Sequence, residues 1–186
     1  MTNKLEILSP AGSPESLKAA VDSGADAVYF GGMAFSARKN AVNFSNEEII
    51  DAINYAHLRG VKLYAAVNTL VFDSELEGVF GFIKFLYESG VDALIIQDLG
   101  ILRLVRKYFP DFPIHASTQM TIHNLAGAKT AKKLGFSRVV LSRELSFENI
   151  KYIAQNCDIE LEVFVHGALC MSYSGQCYLS SVIGGR

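Results

Sequence analysis

Short apolar segments alternate with longer amphipathic segments along the whole chain. The apolar segments are rich in Val, Ile and Leu and lack a polar face, which is typical of parallel strands buried on both sides. The segments between them have the periodicity of helices. The pattern predicts six helices and seven strands, the strands near Leu5–Leu8, Ala27–Phe30, Lys62–Val67, Ala93–Ile96, Ile114–Ala116, Arg138–Leu141 and Glu160–Val165.

Local signals mark where the predicted helices begin and end. Ser13 places a capping hydroxyl before Pro14, which suits the first turn of a helix. Ser45 and Glu48 have the spacing of a capping box, and Ser146 opens the last helix. Four glycines stand between a helix and the next strand, where a left-handed residue ends the helix: Gly24, Gly60, Gly90 and Gly135.

Strand and helix alternate without a low-complexity linker, so residues 1–186 are predicted to form a single domain. Seven strands alternating with six helices predict an α/β fold of the TIM-like (β/α) barrel type, with a doubly wound open sheet as the alternative. A complete barrel typically needs about 250 residues. We therefore expect an incomplete barrel that is the N-terminal part of a longer protein.

Composition narrows the classes of function. Half of the residues are apolar, 19% are charged and the net charge is −2, so no strongly basic surface indicates nucleic-acid binding by this chain alone. The first residues lack the apolar run of a signal peptide, and the apolar runs are too short to cross a membrane. Three cysteines are too few for a disulfide framework, which favours a reducing cytoplasm.

Polar residues follow nearly every predicted strand. In a barrel enzyme the carboxyl ends of the strands carry the site, although any strand that leaves a sheet exits through polar residues. If these ends form a site, we expect five of their side chains to bind substrate: Asn68, Gln97, Asp98, Ser117 and Gln119.

Two cysteines follow the last predicted strand. Cys170 and Cys177 are separated by small polar residues including Gly175, so the loop can direct both thiols to one point. They could ligate a metal or cluster, act as nucleophiles, or be reactive or buried thiols, and an oxidised sample could join them. The spacing differs from the Cys-x-x-Cys of zinc ribbons and suits an iron–sulfur cluster. Cys157 ends the last helix and is expected to be structural.

Charged and imidazole side chains near the strand ends are further candidates. His166 and His115 could orient a substrate or move a proton, or could be structural hydrogen-bonding groups. Arg143 suits a carboxylate or phosphate. Because Arg143 and Glu144 are adjacent, at most one would face the barrel mouth if both were in a strand. Four other side chains are interpreted more simply, Arg38 as a second anion ligand, His123 and Asn124 as turn residues, and His57 as solvated.

Peptide hydrolysis is weakly indicated by the residues themselves. The chain has no Gly-x-Ser-x-Gly elbow and no His-Glu-x-x-His zinc motif. A dyad of Cys170 and His166 is conceivable, but four residues on a turning loop do not ensure its geometry.

Several motifs, in order and each at a strand end, resemble peptidase family U32, also called the collagenase-like proteases. The cysteine segment matches as Glu162-x-Phe164-x-x-Gly167-Ala168-Leu169-Cys170 with Gly175-x-Cys177. Earlier motifs match as Gly31-Gly32-x-x-Phe35-Ser36-x-Arg38, Asn68-Thr69-Leu70, Gln97-Asp98-Leu99-Gly100, His115-Ala116-Ser117-Thr118-Gln119-Met120 and Leu141-Ser142-Arg143-Glu144.

The resemblance implies oxygen-independent hydroxylation of a tRNA or ribosomal RNA base, or of a quinone precursor. It implies a 4Fe-4S cluster held by Cys170, Cys177 and two later cysteines, so this chain alone would bind none. It also implies prephenate as a hydroxyl donor, with Arg143, Arg38 or His115 binding its carboxylate groups.

The resemblance leaves two alternatives to hydroxylation, a peptidase and a non-catalytic partner of a second U32 chain. An open barrel edge would also expose apolar surface and unpaired strand groups, which predicts self-association or an oligomer. No membrane partner is expected.

Overall fold

A computed structural model of the chain describes residues 5–32, 35–36, 43–167 and 170–177. Seven strands form one sheet in the order of the sequence, and each pairs in parallel with the next. They are β1 (Leu8–Ala11), β2 (Ala27–Gly31), β3 (Lys62–Val67), β4 (Ala93–Ile96), β5 (Ile114–Ala116), β6 (Arg138–Val140) and β7 (Glu160–Glu162). The sequential parallel order confirms the predicted incomplete (β/α) barrel and excludes the doubly wound alternative, in which the strand order reverses.

Helices follow the first six strands and cover the outside of the sheet. They are α1 (Pro14–Asp22), α2 (Asn46–His57), α3 (Leu76–Ser89), α4 (Leu99–Tyr108), α5 (Leu125–Leu134) and α6 (Phe147–Asn156). Short 3₁₀ turns at Asp73–Glu75 and Thr118–Met120 precede α3 and α5. The sequence predicted these six helices and their order.

The predicted helix boundaries are confirmed by their hydrogen bonds. The Ser45 hydroxyl accepts from the Glu48 amide at 3.2 Å, and the Glu48 carboxylate accepts from the Ser45 amide at 2.8 Å. Ser13 forms a capping box with Ser16 at the start of α1, and the Ser146 side chain caps α6 by accepting from the Asn149 amide. The four predicted stop glycines have φ between +72° and +98°, which a residue with a side chain rarely adopts.

Alternate residues of the strands pack on the two opposite faces of the sheet, the outer face under the helices and the concave inner face. Val28, Leu63 and Leu94 are fully buried between the strands and the helices, where they form the main apolar core. Residues of the opposite parity, such as Tyr64 and Ile95, form a separate cluster on the concave face of the sheet. This concave face becomes the barrel interior, because successive side chains of a strand point to opposite faces.

The predicted bounds of four strands are wrong, including the end of β2, which lies at Gly31 rather than Phe30. The first strand spans Leu8–Ala11 rather than Leu5–Leu8, because Leu8 is the first residue that pairs with β2, opposite Ala27. The sixth strand ends at Val140, one residue before the predicted end at Leu141. The seventh ends at Glu162 rather than Val165, and the apolar side chains that follow it are exposed. Periodicity alone cannot show where a strand stops finding a partner.

None of the helices in the described part of the chain is long and apolar enough to cross a membrane.

Candidate functional site

The carboxyl ends of the parallel strands lie at one edge of the barrel, which we call the rim. The Asn68 amide donates to the Ser117 hydroxyl at 3.4 Å, so the exits of β3 and β5 meet there. The Gln119 amide N–H donates to the same hydroxyl at 3.2 Å, and Gln97 is half-buried after β4. The rim therefore brings Asn68, Ser117 and the backbone of Gln119 together, and their predicted contact with substrate remains a prediction.

Asp98 lies at the rim, but both of its carboxylate oxygens are occupied by backbone groups. One oxygen caps α4 by accepting from the amides of Gly100 and Ile101 at 2.7 and 3.0 Å. The other accepts from the Val71 amide at 3.3 Å. Asp98 thus fixes two rim loops, and its predicted contact with substrate remains a prediction.

Residues 170–177, which we call the Cys loop, are docked on the rim through Ser174. Ser174 is 1% exposed, its hydroxyl contacts Arg143 and Glu144, and its amide donates to the Glu144 carboxylate at 2.8 Å. The Arg143 guanidinium also donates to the Ser172 carbonyl at 3.2 Å. One buried serine therefore connects two charged residues to the loop that carries both cysteines.

Both Arg143 and Glu144 bind the Cys loop, and the premise behind the expectation that at most one of them faces the barrel mouth does not hold. That expectation assumed a strand, whereas β6 ends at Val140 and both residues lie in the turn beyond it. Partial burial alone would raise the pKa of Glu144, but hydrogen bonds from its own amide and from Ser174, with the nearby His123, lower it. Glu144 is therefore a carboxylate at neutral pH.

Thr121 holds the Cys loop from the opposite side. Its φ of +57° is rare for a β-branched residue, and its hydroxyl donates to the Ser174 carbonyl at 2.9 Å and accepts from the Gln176 side chain at 3.1 Å. Gly175 lies directly against Thr121 and the backbone of Gln119. A Cβ at this position would collide with the Thr121 hydroxyl and would lie 2.7 Å from the Gln119 carbonyl oxygen. A strained threonine and a glycine allow the loop to approach the rim this closely.

His123 belongs to the same cluster, which the sequence did not suggest. Its Nε2 lies 3.2 Å from the Glu144 carboxylate, and its Nδ1 lies 3.0 Å from the Thr121 carbonyl and 3.3 Å from the Ser142 hydroxyl. Its ring centroid is 6.2 Å from that of Tyr173 in the Cys loop. Its position between the fifth strand and α5 was the one available signal, and that position also fits a turn residue.

The two thiols of the Cys loop are exposed to different degrees. Cys170 is exposed, Cys177 is half-buried, and neither forms a disulfide. The pKa of Cys170 is lowered by a hydrogen bond from the Ser172 amide and by the Arg143 guanidinium, while partial burial and Cys177 act in the opposite direction. Thiolate is the form that ligates iron, so this environment suits a metal ligand.

Two thiolates are half of the ligands of an iron–sulfur cluster. Within the described residues, no group of three or more His, Cys, Asp or Glu side chains is arranged to hold a metal ion. The remaining cysteine, Cys157, is buried in the apolar core at the end of α6, as predicted. The chain therefore fits a cluster as the donor of two ligands, and the other two would have to come from outside this sequence.

His115 lies inside the barrel rather than on the rim. It is 4% exposed, its ring packs edge-on against Tyr64 with the centroids 4.8 Å apart, and its Nδ1 has no hydrogen-bond partner among the described residues. Burial, reinforced by the positive charge of Arg138, lowers its pKa to about 3. His115 is therefore neutral at physiological pH and cannot neutralise a carboxylate.

The sequence did not reveal a charge network around the buried Arg138, which lies opposite His115 in the neighbouring strand. The Arg138 guanidinium donates to Glu6 at 2.6 Å and to Glu160 at 2.7 Å, and lies 3.5 Å from Glu162. The Tyr64 hydroxyl donates to Glu6 at 3.0 Å. Burial raises the pKa of Glu162, Arg138 acts in the opposite direction, and the charge of Glu6 adds slightly to the rise. These residues come from distant parts of the sequence, so no local motif reveals them.

The described geometry does not include two of the predicted site residues. His166 is exposed and lies beyond the end of β7. Arg38 lies outside the described residues. Their predicted roles are not tested by the geometry.

Fold and site together define the class of protein: an incomplete (β/α) barrel whose rim carries a docked loop with two thiols. The profile of peptidase family U32 matches residues 12–186, so the chain belongs to that family.

Relatives within the family carry different names. The chain is 45% identical over 185 residues to a 23S rRNA 5-hydroxycytidine synthase of Escherichia coli, covering all of this chain and 28% of the relative. It is 45% identical over 184 residues to the tRNA hydroxylation protein P of the same organism, covering 98% and 41%. It is 34% identical to a collagenase of Porphyromonas gingivalis, covering 96% and 45%. The chain thus spans less than half the length of these relatives.

A solved U32 peptidase has the same fold. It superposes with a TM-score of 0.73 over 88% of this chain and 70% of that one, at 15% identity.

Proposed function

We propose that this chain is the cysteine-bearing part of an enzyme that hydroxylates a base of tRNA or ribosomal RNA. The observation that carries the proposal is the Cys loop, which Ser174 fixes to Arg143 and Glu144 at the rim. The names of the two Escherichia coli relatives support RNA as the substrate. Reduced thiols fit a cytoplasmic enzyme.

In this proposal Cys170 and Cys177 supply two ligands of a 4Fe-4S cluster. When bound, the cluster would supply one-electron chemistry. Arg143 and Glu144 hold the loop that presents both thiols, and Arg143 favours the thiolate form of Cys170. The Nε and one terminal nitrogen of Arg143 already donate to the loop, so its main role is positioning. Binding of a carboxylate donor such as prephenate is assigned to Arg143 or Arg38.

The test uses the full-length protein purified without oxygen. We expect iron, visible charge-transfer absorbance, and an RNA product heavier by one oxygen atom in mass spectrometry. Cys170→Ala and Cys177→Ala should lose iron and activity, whereas the matched control Cys157→Ala should keep both, because its thiol lies in the core. Folded, active protein without iron would contradict the proposal.

Peptide hydrolysis is the second candidate, favoured by the collagenase relative and the exposed Cys170 thiol. Ser142, His123 and Glu144 are adjacent as in a serine protease, but Ser142 is 3% exposed, so its hydroxyl cannot reach a peptide. Gelatin cleavage that disappears in both Cys170→Ala and His166→Ala would favour this candidate. Cleavage that persists in both variants would indicate a contaminating protease.

A non-catalytic role beside a second U32 chain remains the third candidate. Copurification of such a chain would favour it, and turnover by a monomer would count against it.

A further inference from the structure

A surface groove opens next to the cluster that holds the Cys loop. It has a volume of about 550 Å³ and lies between α5 and α6, lined by His123, Asn124, Leu125, Ala126, Lys129, Asn149, Tyr152 and Ile153. This volume is in the range of sites that bind small ligands or single groups of a larger one.

The groove and the Cys loop share His123. This residue lines the groove, lies 3.2 Å from the Glu144 carboxylate and has its ring beside that of Tyr173. Glu144 in turn holds Ser174 of the loop. A ligand in the groove would therefore lie beside the thiol-bearing loop rather than at a remote surface.

The lining favours an anionic, aromatic ligand. Lys129 is exposed, and none of the described side chains that line the groove is a carboxylate. Tyr152 is 57% exposed, so its ring is accessible for stacking. Asn149 adds an amide, and the amino end of α5 adds the positive end of a helix dipole. A cation, an exposed ring and amides together match the phosphate, base and sugar of a nucleotide.

We propose that this groove binds a nucleotide that flanks the target base in single-stranded RNA, with its phosphate at Lys129 and its base stacked on Tyr152. The inference rests on the proposed function, because RNA must be the substrate. It adds an RNA-binding surface outside the barrel mouth to a chain whose overall charge of −2 gives no indication of one.

The experiment compares full-length wild type with Lys129→Gln and Tyr152→Ala. Fluorescence anisotropy measures the affinity for a labelled single-stranded RNA of about a dozen nucleotides at several salt concentrations. Lys129→Gln should weaken binding several-fold and reduce the slope of log K against log salt by about 0.7, the value for one phosphate contact. Tyr152→Ala should weaken binding about five-fold or more, without changing the slope. Both groups are surface groups, so the variants should fold.

Lys107→Gln is the matched control. Lys107 also lies beside an exposed tyrosine, Tyr108, but in the last turn of α4, at the carboxyl end of a helix rather than the amino end. It should leave affinity and slope unchanged. Equal effects of Lys129→Gln and Lys107→Gln would overturn the inference, because they would indicate only general charge. Malonate, a small dicarboxylate, is titrated against the same proteins. If malonate binds wild type but not Lys129→Gln, while RNA binding is intact in both, the inference is also overturned, since the occupant would be a small carboxylate.

Activity separates this inference from the proposed function. If wild type hydroxylates RNA and Lys129→Gln has an unchanged KM, the groove assignment is wrong and the function stands. If KM rises while kcat is retained, the groove is supported. If wild type neither binds nor modifies RNA, both fail.

Discussion

At the scale of single residues, burial rather than identity decides what the histidines can do. His115 and His123 are close in the sequence, yet one lies in the barrel interior and the other lies 3.2 Å from the Glu144 carboxylate on the rim. From the sequence, His115 was a candidate catalytic residue, whereas His123 was interpreted as a turn residue. The structure makes His115 a neutral, enclosed ring and gives His123 the contacts with the Cys loop.

The low pKa of His115 predicts a dependence of stability on pH. The folded pKa is about 3 and the ordinary value is 6.5, so between these values the unfolded chain binds a proton that the folded chain does not. The contribution of His115 to folding is therefore complete above pH 6.5 and is lost as the pH falls towards 3. His115→Phe should weaken this loss and make the variant about 3 kcal/mol less sensitive to a change from pH 7 to pH 4.

Urea unfolding followed by circular dichroism at both pH values measures this difference. His166→Phe serves as the control, because it removes an exposed histidine. An equal response to acid in wild type and His115→Phe would contradict the buried, neutral state of His115.

At the scale of elements, the rim depends on turns that lie outside every strand and helix. Arg143, Glu144 and Thr121 come from the turns after the fifth and sixth strands, and each contacts the Cys loop. The barrel sets where these turns begin, and the turns set where the thiols lie. The loop is therefore a separate element whose docking can be changed without unfolding the barrel.

Gly175→Ala should release the Cys loop. A Cβ at this position would collide with Thr121 and the Gln119 carbonyl, and the positive φ of +76° adds strain. In the cluster-free protein, alkylation of the half-buried Cys177 by iodoacetamide should become several-fold faster, measured by mass spectrometry with buried Cys157 as the internal reference.

Gly24→Ala separates strain from collision. Gly24 also has a positive φ, of +91°, but a Cβ there meets nothing within 4 Å. Both variants should lose about 1 kcal/mol from backbone strain, and only Gly175→Ala should expose Cys177. Equal alkylation rates in the two variants would show that the loop does not depend on its close approach to the rim.

At the scale of the whole molecule, the Arg138 network joins the beginning of the chain to its last strands. Glu6 precedes β1, whereas Arg138 and Glu160 begin β6 and β7, so the contacts cross the concave side of the incomplete barrel. Strand pairing alone connects only sequential neighbours. The network therefore fixes the curvature that brings the strand ends to a common rim.

Arg138→Met should destabilise the protein by about 3 kcal/mol, because it leaves the partly buried carboxylates of Glu6 and Glu162 without their partner. Adding Glu162→Gln should recover part of the loss, since burial already disfavours the charge of Glu162. The measurement is urea unfolding at pH 7.

Arg59→Met is the matched control. Arg59 pairs with Asp22 on the surface, where such ion pairs contribute about 1 kcal/mol or less. A loss in Arg138→Met as small as that in Arg59→Met would mean that the network does not shape the barrel.

The sequence by itself determined the order of elements, the barrel class and the helix boundaries. These follow from local causes: apolar runs form buried strands, Ser45 and Glu48 cap a helix, and a glycine such as Gly90 ends one. It also located the rim, because parallel strands bring Asn68 and Ser117 to one edge. Such features depend on neighbours in the sequence or on the periodicity of strands.

Only the tertiary structure decided which polar groups meet. His123 joins the Cys loop through Glu144, and Arg138 joins Glu6 from 132 residues away. The end of β7 at Glu162 likewise depends on pairing with β6 rather than on apolar pattern. Contacts of this kind depend on the curvature of the sheet and on the paths of loops, and no local arrangement of residues encodes either one.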